Sequence, residues 1–113
     1  MASEMAAGRP MRQPSHPGKV LRNFVIPALE ERGISISAFA DHLGVSRNTV
    51  HAVLREARGV TPDIAARLER SLGASAAMWL GMQAAHDAWL ANQQPGIKAI
   101  KRLRVALPHL MRA

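Results

Sequence analysis

Residues 37–55 read SAFADHLGVSRNTVHAVLR, and that stretch decides the fold. Phe39, Ala40 and Leu43 fall on one helical face before Gly44 interrupts. Val45 is apolar, Ser46 is a good cap for a new helix, and Val50, Val53 and Leu54 supply that helix's buried face. Two short helices joined by a tight turn containing glycine make a helix-turn-helix. Ala40 is small enough for the second helix to cross close above it. Gly44 can take the positive φ that ends the first helix at no steric cost. Val50 plugs the angle between the two. The outer face of the second helix carries Arg47, Asn48, Thr49, His51 and Arg55. In this motif the N-terminal part of the second helix enters the major groove, where Arg suits guanine, Asn suits adenine and Thr offers a methyl or a hydroxyl. An exposed helix face is polar in any case. It is the Ala-Gly-Val framework that makes these side chains candidates for reading bases.

Upstream, His16-Pro17-Gly18 opens a first helix, with proline suited to its first turn. Val20, Leu21, Phe24, Val25 and Leu29 form an apolar stripe at helical spacing, and Pro27 should bend or interrupt it. Gly33 ends the segment, and Ser35 or Ser37 caps the next helix. Residues 1–15 hold no periodic apolar face and read as a mobile arm, with Arg9 and Arg12 within reach of phosphate. Downstream, Thr61-Pro62-Asp63 sets an N-cap, a first-turn proline and a first-turn carboxylate in order. Ile64, Ala65, Leu68 and Leu72 make the inner face of helix four, which Gly73 stops. Ser75 caps helix five, expected through about Asn92 and carrying Met78, Trp79, Met82, Ala85 and Trp89. Pro95-Gly96 follows, and then a basic tail, 93–113, in which Ile97, Ile100, Leu103 and Leu107 oppose Lys98, Lys101, Arg102 and Arg104. That tail reads either as a short amphipathic helix up to Pro108 or as disordered chain. The expected class is all-α, with one domain over 16–92 between the two tails.

Charge is unevenly placed. Of the net +7, residues 34–92 contribute nothing, with five basic and five acidic groups, whereas 93–113 hold five basic groups and no acid. A basic balance favours contact with nucleic acid, and equally fits a solvated tail. Without cysteine there is neither a disulfide nor a zinc-thiolate site. No apolar run approaches the ~18 residues of a membrane span. The N-terminus lacks a signal peptide's apolar centre, so a cytoplasmic protein is expected. An enzyme reading fails on spacing. Histidines 16, 42, 51, 86 and 109 are scattered, His86 and Asp87 are adjacent and diverge on a helix, and no glycine-rich phosphate loop occurs. No metal or cofactor site is expected.

Four blocks together, HPGKVLRNF, SAFADHLGVSRNTVHAVL, GVTPDIAARLERSLGAS and MWLGMQAAHDAW, resemble the HigA antitoxins of the Xre helix-turn-helix class over about His16 to Asn92. The resemblance implies a five-helix, lambda-repressor-like domain that forms a homodimer on a palindromic operator of its own operon. It also implies a protein partner, a RelE-like ribonuclease toxin of the HigB type, held inactive by binding. The segment ALEERGI between Pro27 and Ser35 is longer than is usual in the family, and the basic tail lies outside its common core. The alternative reading is a stand-alone Xre-type regulator without a toxin. A third is an interaction protein whose tail binds RNA or an acidic partner.

Resemblance and spacing together make Arg47, Asn48, Thr49 and His51 the base-reading candidates, with Ser46 and Arg55 nearer the backbone. Ser46 serves equally well as a plain helix cap. Arg58, in the loop after the recognition helix, is a phosphate candidate and reads as well as a solvated arginine. Ser35 and Ser37 start the helix that crosses the backbone. Trp79 and Trp89 lie ten apart, near one helical face. Core is the better reading for Trp79, while Trp89, nearer the helix end, is a candidate dimer anchor.

Overall fold

The computed structural model describes residues 12–111, which are helical with no strand. The first helix, α1 (17–31), runs without a break through α-helical Pro17–Val20, π-helical Leu21–Val25 and α-helical Ile26–Glu31. Pro27 explains the middle part. It has no N–H for the carbonyl four residues back, and its ring crowds that oxygen. A wider turn, in which the Ile26 N–H reaches the Leu21 carbonyl, carries the chain past the proline. Of the bend or interruption expected at Pro27, the structure shows a local widening and no break.

The extra residue shifts the register. Leu21 and Ile26 face the core, Val20, Val25 and Leu29 pack at its edge, and Phe24, expected inside, is 71% exposed. The remaining helices are α2 (Ile36–Leu43), α3 (Arg47–Leu54), α4 (Pro62–Leu72), α5 (Ala76–Asn92) and the short α6 (Pro95–Lys98), with a 3-10 turn at His109–Met111. Their starts are set by side-chain caps. The hydroxyls of Ser35, Ser46, Thr61 and Ser75 accept from the N–H groups of Ala38, Thr49, Ile64 and Met78 at 3.1, 3.0, 3.3 and 3.0 Å. Each satisfies a donor that the first turn cannot satisfy itself, typically worth about 1 kcal/mol. Gly44 and Gly73, with φ of 74° and 91°, close α2 and α4.

One core unites these helices. Phe39, Ala40 and Leu43 from α2, Val50, Val53 and Leu54 from α3, and Ile64, Ala65 and Leu68 from α4 meet Leu21, Ile26, Val60 and Trp79. Ala40 is 1% exposed, which fits its role under the crossing helix.

Helix α5 buries few of its large apolar residues. Trp79 is buried and Met82 and Trp89 are half-buried, but Met78 and Ala85 are exposed, and the other buried positions are Gln83 and His86. Partners elsewhere in the chain account for this. The Gln83 side-chain carbonyl accepts from the Val60 N–H at 2.7 Å, and its amide donates to Asp87 at 3.0 Å. His86 Nδ1 donates to the Pro14 carbonyl at 2.9 Å, and its ring meets His16 edge-on, centroids 5.0 Å apart. His16 in turn caps α1, its Nδ1 accepting from the Gly18 N–H at 2.8 Å. Buried polar groups with partners of this kind cost little, and they fix orientation. No helix among the described residues is long and apolar enough to cross a membrane.

Candidate nucleic-acid interface

Arginines from other helices brace α3: Arg67 secures the turn ahead of it and Arg22 its C-terminal end. Arg67 on α4 donates to the carbonyls of Leu43 and Gly44 at 2.8 and 3.4 Å, using the free acceptors where α2 ends. Its Nε donates to Asp63, one turn earlier, at 2.9 Å. The φ of 74° calls for glycine at position 44, and a methyl there would meet this guanidinium at 2.9 Å and push it aside. At the other end, Arg22 on α1 donates to the Leu54 carbonyl and pairs with Glu56 at 3.3 Å. Glu56 sits at φ 63°, a conformation that usually selects glycine after a helix. Beneath α3, Gly18 packs against the Val53 carbonyl with no room for a side chain.

On this frame the outward face of α3 carries Arg47 and Asn48, both exposed in its first turn. Arg47 Nε donates to His51 Nε2 at 3.3 Å, so the two lie together one turn apart, with the imidazole accepting. Thr49 is placed differently. It is half-buried, and its hydroxyl shares a 2.8 Å hydrogen bond with Ser46, which leaves Ser46 and Thr49 joined as the helix cap. Arg55 is the exposed C-terminal cap residue of α3. Arg58 is exposed in the following loop, its N–H bonded to the Ala52 carbonyl at 3.2 Å. Ser35 caps α2, and Ser37 is half-buried in that helix's first turn. Trp89 is half-buried near the end of α5, apart from this group. Arg9 lies outside the described residues.

The supports of α3 were not legible in the sequence. Arg67 and Asp63 are four apart, a signal for an ion pair, but the carbonyls that Arg67 and Arg22 hold leave no trace in residue identity. Among the described residues no cluster of three His, Cys, Asp or Glu side chains is placed to hold a metal ion. An exposed Arg-Asn pair at the start of a rigidly mounted helix is geometry for presenting donors to base edges.

The helix-turn-helix family profile matches residues 28–79, which spans α2, α3 and α4. Virulence-associated protein I of Dichelobacter nodosus is 40% identical over 87 residues, 77% of this chain and 78% of that one. Antitoxin HigA-1 of Vibrio cholerae serotype O1 is 35% identical over 99 residues, 85% of this chain and 90% of that one. The chain belongs to the HigA family. The solved structure of antitoxin GraA in complex with its operator superposes at a TM-score of 0.70, with 38% identity over 86% of this chain and 98% of that one. HigA proteins are helix-turn-helix proteins and not enzymes, in keeping with the scattered histidines. The five larger helices of this chain match the domain that the family resemblance implied, and α6 is the sixth.

Proposed function

We propose that this HigA-family chain binds a palindromic operator as a homodimer, represses its own operon, and neutralises a RelE-like ribonuclease toxin of the HigB type without catalysis. One observation carries the DNA-binding part: Arg47 and Asn48 stand exposed at the N-terminal end of α3, with Arg67 bracing the turn ahead of that helix and Arg22 holding its C-terminal end. Arg47 and Asn48 are assigned to base edges, with His51 beside Arg47. Ser35, Ser37, Ser46, Arg55 and Arg58 are assigned to the phosphate backbone, and Thr49 supports the start of α3 through its bond to Ser46. A single α3 reads only a few base pairs, whereas two set ~34 Å apart read one face of the duplex. Trp89 is the proposed dimer anchor. Repression then follows from occlusion of the promoter.

The decisive experiment induces the small gene next to this one, alone and together with the chain. Growth arrest alone and rescue together support the antitoxin role. A harmless neighbour, or failure of rescue, favours the stand-alone regulator. That second reading draws on the tail, since a run of five basic groups without an acid is an unusual grip on toxins that are themselves usually basic. Nuclease protection of the promoter region tests DNA binding separately.

A further inference from the structure

The segment from Ala99 to Leu107 contains neither glycine nor proline, and its Ala, Leu, Lys and Arg residues are good helix formers. It follows directly on α6, yet the helix stops at Lys98 and residues 99–108 take no regular structure. Every residue in it is exposed, including Ile100 at 73% and Leu103 at 79%.

Two physical causes account for the stop. Continued winding would set Lys98 beside Lys101 and Arg102, and Lys101 beside Arg104, at the three- and four-residue spacings where like charges repel. The last acidic residue of the chain is Asp87, so nothing nearby offsets them. Winding would also gather Ile97, Ile100, Leu103 and Leu107 into a stripe separate from most of the basic groups. A segment that is helix-competent, basic without an acid and unwound lacks above all a counter-charge.

We propose that residues 97–107 form a helix when they meet the phosphate backbone of DNA flanking the site occupied by α3. This rests on the DNA-binding reading above and adds a second contact to it. DNA is favoured over an acidic protein by the charge plan of the chain. Residues 34–92 carry as many acids as bases and the whole domain, 16–92, is only +1, so it has little net attraction for a duplex, and the tail at +5 supplies most of it. A duplex offers one negative charge per ~1.7 Å of axis, a continuous line that neutralises closely spaced cations whatever their order. The tail thereby provides affinity without sequence preference, and α3 provides the preference.

The test uses the full chain, followed by circular dichroism and by NMR shifts of residues 99–107, with an operator duplex and a scrambled duplex of equal length. Both should induce helix in the tail. The variant carrying Lys101→Gln, Arg102→Gln and Arg104→Gln should lower the slope of log affinity against log salt by about 5 for the dimer with its two tails, at roughly 0.9 per lost phosphate contact. Its preference for operator over scrambled duplex should persist. A tail that stays unwound on saturating DNA, or an unchanged salt slope, overturns the proposal while operator binding stands. Helix induced by phosphatidylserine vesicles and not by DNA also overturns it. A chain that shows tail helix on both duplexes with no preference between them sustains the tail and sinks the operator-binding reading instead.

Discussion

Gly18 of α1 lies against the carbonyl of Val53 in α3 so closely that no Cβ fits between them. Helix α3 is thus seated directly on the backbone of the first helix. Gly18→Ala forces the two apart. Overpacking of this kind costs about 1–3 kcal/mol, and the urea midpoint should fall accordingly at an unchanged slope. Retention of the wild-type midpoint would show that α1 slides aside at no cost.

Arg67 should matter more than its ion pair. The Asp63 partner is exposed, and exposed pairs one turn apart contribute only ~0.3–0.5 kcal/mol. The bond to the Leu43 carbonyl holds the turn ahead of α3. Asp63→Asn is expected to change little, whereas Arg67→Ala should cost about 1–2 kcal/mol through the freed carbonyls. Equal losses in thermal unfolding would assign the effect to the ion pair.

At the proposed interface, Arg47→Ala and Asn48→Ala should each reduce discrimination between operator and mismatched sites by ~1–3 kcal/mol, the range for a bidentate side chain on a base edge. Thr49→Val, by contrast, should lower stability before it alters sequence preference, since the hydroxyl is engaged with Ser46. Competition binding against single-base operator variants separates the two. A loss that is the same on every sequence would move Arg47 or Asn48 to the phosphate backbone.

Acid should loosen the junction of α1 and α5. Burial, with His86 alongside, holds the His16 imidazole below its ordinary value of 6.5. Its Nδ1 must keep a lone pair to cap Gly18. Below pH 6.5 the unfolded chain takes up this proton more readily than the folded one, so stability is full above that pH and declines as pH falls toward the lowered folded value. Urea unfolding between pH 7.5 and 5 should show the decline. His16→Asn, which keeps a cap acceptor, should flatten it. A variant with the full wild-type pH dependence would place the titrating group elsewhere.

Local features were legible in the sequence. The caps at Ser46, Thr61 and Ser75 and the stops at Gly44 and Gly73 depend on neighbours within a turn, so residue identity suffices. At the start of α2 residue identity leaves Ser35 and Ser37 both open, and the structure chooses Ser35. The exposed face of α3 followed from the same periodicity. Phe24 did not, because the π turn ahead of Pro27 breaks the 3.6-residue count on which the stripe was drawn. Nor did the buried side of α5, where Gln83 and His86 answer to Val60 and Pro14, 23 and 72 residues away. Within the interface, the Arg22 and Arg67 clamps were hidden for a related reason. Their partners are backbone carbonyls, which every residue has.

The two side-chain bonds from α5 give that helix a rotational key. Apolar residues lie all round it, so turning it about its axis would exchange one greasy face for another at small cost in buried area. Hydrophobic contact is indifferent to such a turn, but hydrogen bonds are not. Gln83 on Val60 and His86 on Pro14 admit one setting, and that setting decides that Met78 and Leu90 point outward while Trp79 points in. Replacing both by leucine would leave an apolar helix without a unique angle, and the outer surface of α5 would become several surfaces in exchange.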